Sequence, residues 1–145
     1  YLRPQNKKSA LRVHHKMDDN VAILKLFPGI NARILDAVLN AEKLKVLILE
    51  NYGSGNAPTD ERFLDKLKNA IKKGVHIINV TQCSGGAVIM GQYETSSKLK
   101  QMQVINGKDI TTESALTKAM YLLGSGVSDA LFKTVFETSL RGEML

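Results

Sequence analysis

The sequence is poor in the residue types that usually announce chemistry. Among its 145 residues are one cysteine, Cys83, three histidines, three prolines and no tryptophan. A single thiol excludes an intramolecular disulfide and a cysteine-based metal site, and it fits a reducing, cytoplasmic setting. No apolar run approaches the ~20 residues a membrane helix needs, and no signal-peptide pattern opens the chain, so no membrane is expected as a partner. The start at Tyr1, without Met and irregular in pattern, is what a piece of a longer chain would show. Acidic residues are missing from residues 1–16, where Arg3, Lys7, Lys8, Arg12 and Lys16 stand alone. The net charge of +6 therefore belongs mostly to this tail, because the rest carries 15 basic against 14 acidic groups. A short basic tail can bind phosphate backbones, but this one has almost no aromatic residues to stack on bases. Residues 1–17 read as a solvated linker, with no nucleic-acid partner, and residues 18–145 as one domain.

What is present alternates regularly. Val21 to Phe27, VAILKLF, is a β-rich run ended by Pro28-Gly29. In residues 31–40 the spacing of Ile34, Leu35, Val38 and Leu39 predicts a helix, with Asn31 as its N-cap. Val46 to Leu49 is a second strand. Phe63, Leu64, Leu67, Ala70 and Ile71 then line one face of a helix with acids in its first turn, lysines in its last and Gly74 beyond its end. Val75 to Val80 is a third strand. After it come a helix over about 95–102, a brief Val104-Ile105, and helices over about 112–123 and 128–140. Strand and helix in alternation, with near-continuously apolar strands, predict a three-layer α/β domain, Rossmann-like or flavodoxin-like, with about four parallel strands flanked by helices.

In a parallel sheet all carboxyl ends share one edge. That rule brings Pro28-Gly29, the stretch NYGSGNAP (Asn51 to Pro58) and the stretch TQCSGG (Thr81 to Gly86) together, at the edge where open α/β sheets bind ligands. GSGN has neither dinucleotide-binding nor P-loop spacing. TQCSGG offers hydroxyls, a thiol and exposed amides, which suit a small polar ligand. A catalytic set is not visible. His14 and His15 lie in the tail, His76 lies inside a strand, Cys83 has no evident base, and Asp18-Asp19 and Asp60-Glu61 stand where capping explains them. A lone cysteine of this kind is most simply a small structural residue.

Read in order, NVAILKLFPGI, NYGSGNAP, VTQCSGGAVIMGQY, GKDITTESALTKAMYLL and SLRGEML resemble the C-terminal domain of bacterial type I, cytoplasmic L-asparaginases, from about Asp18 onward. The resemblance implies an amidohydrolase converting L-asparagine to L-aspartate and ammonia without a cofactor or metal. Its threonine nucleophiles would stand on an N-terminal domain whose motifs this sequence lacks, so no catalytic residue is assigned here and the isolated chain is expected to be inactive. It further implies a homo-oligomer, a dimer of dimers, in which this domain completes a neighbouring subunit's active site through Asn56 and Tyr93. Thr81, Cys83 and Ser84 match a loop lining an effector site for asparagine.

One departure bears on that effector site. The family pattern has an arginine where this sequence has Glu50, and a carboxylate there repels the ligand group that an arginine would hold. The AVIM of Ala87 to Met90 also lacks a lysine common after the glycine. Each residue has a plainer reading as well: Asn56 as a turn former, Tyr93 as a packing residue, Thr111 and Thr112 as helix caps. Two other functions compete, a self-sufficient small-ligand-binding domain and a nucleic-acid binder working through the tail.

Overall fold

The computed structural model describes residues 13–58, 60–91 and 94–145. Most of the basic tail and Tyr93 therefore lie outside the described residues. Four strands, β1 (Val21–Lys25), β2 (Val46–Asn51), β3 (His76–Thr81) and β4 (Ile105–Asn106), form one parallel sheet in the order β1-β2-β3-β4. The order follows the sequence without reversal, so every connection steps to the next strand in the same direction. The helices α1 (Ala32–Leu39), α2 (Glu61–Lys72) and α3 (Glu94–Gln101) make those three connections, and α4 (Thr112–Gly124) and α5 (Asp129–Phe136) follow.

Strand alternation divides the core in two. Leu47, Leu49 and Ile77 pack with Leu35 of α1, Phe63, Leu64 and Leu67 of α2, and Leu99 of α3. Val46, Ile48, Ile78 and Val80 point the other way, against Ala115, Ala119 and Leu122 of α4 and Phe132 and Phe136 of α5. The result is the expected three layers, α1-α2-α3 over the sheet over α4-α5. The central strand β2 is apolar on both faces because both are covered, and Val46 to Leu49 are fully buried.

The ends of the elements are set by local chemistry. Asn31 caps α1, its Oδ1 accepting from the amides of Arg33 and Ile34 at 3.0 and 3.3 Å. Asp60 caps α2, and Gly74, at φ +93°, carries the chain away in the left-handed region. Asp18 turns the chain into β1, accepting from Asn20 N at 2.9 Å and from Lys45 Nζ at 2.7 Å. Lys45, with the Asn20 amide, holds the Asp18 carboxyl down at about 2.

Several boundaries differ from the sequence pattern. The first strand stops at Lys25: Leu26 N still bonds to Glu50 O at 3.0 Å, but Leu26 O is taken by the Gln82 side chain and Tyr52 N by Asn56 O, which ends the ladder. The third begins at His76, after Val75 has closed α2 by bonding to Ala70 O. The last helix ends at Phe136 and not near residue 140, since Thr138 O is taken by Lys118 Nζ at 2.8 Å and the Leu140 amide by the Glu143 carboxylate at 2.9 Å. His76 has the structural role expected of it, stacked on Phe132 with ring centroids 4.2 Å apart and with Nε2 3.3 Å from Asp129 Oδ1.

Candidate functional site

The carboxyl edge of the sheet does gather the three loops. Gln82 joins two of them to the strand ends, its side-chain amide donating to Leu26 O at 2.6 Å and to Glu50 O at 2.8 Å. Thr81 Oγ1 donates to Gly53 O, and Ile89 N to Ser54 O at 3.0 Å, so the loop after β3 is stitched to the loop after β2. The β2 loop is itself tight: Tyr52 and Asn56 exchange both backbone hydrogen bonds, at 3.0 and 2.9 Å.

Beneath it lies a buried polar knot. Asn51 and Asn79, adjacent on β2 and β3, are both wholly inaccessible. Asn51 Nδ2 donates to Asn79 Oδ1 at 2.6 Å, and Asn79 Nδ2 donates to Gly55 O at 3.0 Å and approaches Met90 Sδ at 3.4 Å. Gly55 has φ +97°, and a Cβ there would stand 2.7 Å from Val88 Cγ1. Only glycine fits that position for both reasons. Asn56 follows at once, half-buried, and its Oδ1 is buried without a donor among the described residues, as is Asn51 Oδ1. A buried carbonyl oxygen left unpaired costs ~1–3 kcal/mol; Asn51 Oδ1 is sealed inside the domain, whereas Asn56 is only half-buried, on a surface loop where water or another molecule can supply the donor.

At the same carboxyl edge, toward the start of α4, is a cavity of about 280 Å³, near the lower end of small-ligand sites, whose walls include Glu50, Thr81, Cys83, Ser84, Asp109 and Glu113. The four residues that the resemblance points to as effector-binding therefore share one concave space. Cys83 and Ser84 are exposed, so the expectation of a small buried structural cysteine fails: Gly85 and Gly86 carry the chain outward and leave the thiol at the rim. Thr81 is held by its bond to Gly53 and receives Cys83 N at 3.0 Å.

Glu50 is mostly covered and points along the far wall. Its Oε1 accepts from Thr112 Oγ1 at 2.6 Å and its Oε2 lies 3.8 Å from Lys25 Nζ. Thr112 thus does more than start a helix, whereas Thr111 is the cap proper, accepting from Ser114 N at 3.2 Å. With Asp109 and Glu113 the cavity has three carboxylates, and no lysine or arginine among the described residues lines it. The α4 N-terminus favours an anion, but by at most ~2 kcal/mol; Lys25 offsets part of the Glu50 charge, and Asp109 and Glu113 keep the walls negative. The cavity suits an amide or ammonium group better than a carboxylate.

Asn79 is not singled out by any motif, and Gln82 only as a member of TQCSGG. The signal for Asn79 is a polar residue inside the apolar run VHIINV, at a position whose neighbours are all buried. Gln82 has no such signal, since a glutamine after a strand is ordinary.

A family model described as Glutaminase/Asparaginase C-terminal domain matches residues 20–136. The chain belongs to this family. Over 134 residues this asparaginase-family domain is 37% identical to L-asparaginase 1 of Escherichia coli, covering 92% of the chain and 39% of that relative. It is 39% identical over 144 residues to the 60 kDa lysophospholipase of Homo sapiens, covering 99% of the chain and 25% of the relative. Among solved structures it is similar to L-asparaginase I from Vibrio cholerae, with a TM-score of 0.88 and 34% identity over 97% of the chain and 42% of that structure. The chain thus spans well under half the length of these relatives. None of the described helices is long and apolar enough to cross a membrane, and no group of His, Cys, Asp and Glu among the described residues could hold a metal ion.

Proposed function

We propose that this domain serves an L-asparagine amidohydrolase, completing the active site of a neighbouring subunit in a homo-oligomer while the catalytic threonines stand on an N-terminal domain outside this chain. The observation that carries the reading is Asn56: its Oδ1, without a donor among the described residues, sits on a glycine-shaped loop at the carboxyl edge of the sheet, where open α/β sheets bind ligands. The domain alone does not select the substrate, since a relative that shares it is named a lysophospholipase. The asparaginase likeness, at a TM-score of 0.88 over nearly the whole chain, is what favours the amide. Tyr93 is assigned beside Asn56 on the family resemblance alone. On this reading residues 1–17 connect the two domains and residues 18–145 are the lobe itself, in a cytoplasmic protein.

The cavity at Thr81, Cys83, Ser84 and Glu50 is the counterpart of an effector site that has lost its response to asparagine. The Glu50 carboxylate, with Asp109 and Glu113 in the same walls, repels the ligand's carboxylate. Ammonia release and calorimetric titration test both parts. The complete protein is expected to release ammonia from L-asparagine and the 145-residue chain to release none. The chain should give no binding heat with L-asparagine or L-aspartate, and Glu50→Arg should restore it. Ammonia release from the chain alone would overturn the division of labour, and asparagine binding by the wild-type cavity would overturn its loss of response.

A further inference from the structure

The Asn51–Asn79 pair is an unusual use of the middle of a sheet. Both residues are fully buried, on neighbouring strands, where apolar residues would cost nothing in unpaired groups. Asn79 is also fixed in its main chain: its carbonyl accepts from Gly107 N at 2.8 Å, and a Cβ on Gly107 would stand 2.5 Å from that oxygen. From this immobile base its side chain reaches two loops at once, Gly55 O in the loop after β2 and Met90 Sδ in the loop after β3. Gly55 is the residue immediately before Asn56. A hydrogen bond to its carbonyl fixes the peptide plane from which the Asn56 side chain springs.

We infer that Asn79 is a positioning residue, held in register by Asn51, that fixes the Gly55–Asn56 peptide and so presents Asn56 in a single geometry. This rests on the reading above for its catalytic consequence, though not for the loop geometry itself. Three features support a positioning role over simple packing. The hydrogen bonds run in one direction, from Asn51 through Asn79 to the loop, and end on the residue beside the one that matters. The space on the Cβ side of Gly55 is filled by Val88 and by Asn79 Nδ2 itself, so the loop has little slack to find a second resting place. Finally, Asn79 is anchored through its main chain, by Gly107 N, and through its side chain, by Asn51 Nδ2, a double hold that space-filling alone does not need.

The test uses the double variant Asn51→Leu/Asn79→Leu, because replacing both partners by apolar side chains of similar size removes the tether without leaving a new orphan between them. On the chain itself, amide hydrogen exchange at Gly55 and Asn56 is expected to rise about tenfold or more while β2 and β3 amides such as Ile48 and Ile78 stay as protected as in the wild type. Unchanged exchange at Gly55 and Asn56 would overturn the inference, and so would a rise shared equally by β2 and β3, which is the mark of a merely structural role. In the complete protein, Asn56→Ala is expected to lower kcat/KM for L-asparagine, the double variant to lower it as well, and the two combined to lower it no further than the larger single effect. If Asn56→Ala lowers activity and the double variant does not, the catalytic part of the inference falls while the proposed function stands. If Asn56→Ala itself leaves activity intact, the proposed function falls, and the loop tether is judged by exchange alone.

Discussion

Two segments outside the helices and the sheet are tied down in opposite ways. The loop after β2 is held by a neutral knot, Asn51 to Asn79 to Gly55 O. The C-terminal segment after α5 is held by a charge: Lys118, almost wholly buried on α4, donates to Thr138 O at 2.8 Å and to Glu143 Oε1 at 2.5 Å, touches Met144 Sδ at 3.3 Å, and lies over the Phe136 ring. Glu143 in turn accepts from the amides of Leu140 and Arg141. A neutral knot gives a loop one geometry at every pH. A charged clamp holds more strongly but only while both charges persist. The loop that carries Asn56 is tied by the kind of bond that does not titrate.

The sharpest way to separate the two devices is to remove the charge. Lys118→Met should destabilise the domain by about 3–4 kcal/mol in urea unfolding, because it leaves a largely covered carboxylate and a carbonyl without their cation. Its damage should be confined to the strap and the α4-α5 layer, with Gly55 and Asn56 amides as protected as before. A loss of protection in the β2 loop would show that the two devices are coupled. Gly55→Ala attacks the knot where Asn79 meets the loop and should cost about 2–3 kcal/mol, combining a left-handed backbone with a clash against the stiff, buried Val88. A cost below ~1 kcal/mol would mean that the loop has the slack denied to it above.

The same contrast explains what could be read from the sequence. The four strands, their order along the chain and the helix that caps itself with Asn31 follow from short-range rules, apolar periodicity and capping, which act within a few residues. That the loops after β1, β2 and β3 converge follows from parallel topology alone, and Gln82, bonded to both Leu26 O and Glu50 O, shows the convergence directly. The family strings led to Asn56, Thr81, Cys83, Ser84 and Glu50, and the last four do share a cavity. What escaped is long-range pairing. Asn79 meets Gly55 across 24 positions and Thr112 meets Glu50 across 62, and no local pattern encodes which polar residue finds which partner. The end of α5 escaped for the same reason, since it is Lys118, 20 positions earlier, that takes Thr138 O.

Acid should release the clamp and leave the knot, since protonation neutralises Glu143 without deleting it. Burial alone would raise the Glu143 carboxyl, but the Leu140 amide, Lys118 and the Arg141 amide overcome it and hold the carboxyl at about 2, against an ordinary 4.5. A carboxyl lowered in the folded state contributes stability that is complete above its unfolded value and is lost as pH falls through its folded one. The contribution of Glu143 should therefore be full above about pH 5 and fade toward pH 2. Asp18, paired with Lys45 and also held at about 2, fades over the same window, so wild-type acid unfolding alone cannot isolate the clamp. The difference in stability between wild type and Glu143→Gln cancels the Asp18 term. That difference should shrink steadily from pH 5 to pH 2, whereas the difference between wild type and Asn51→Leu/Asn79→Leu should stay flat, there being no titrating group in the knot. A flat Glu143 difference would mean that Lys118 is held by Thr138 O and Met144 alone, and that the clamp is as neutral in its working as the knot.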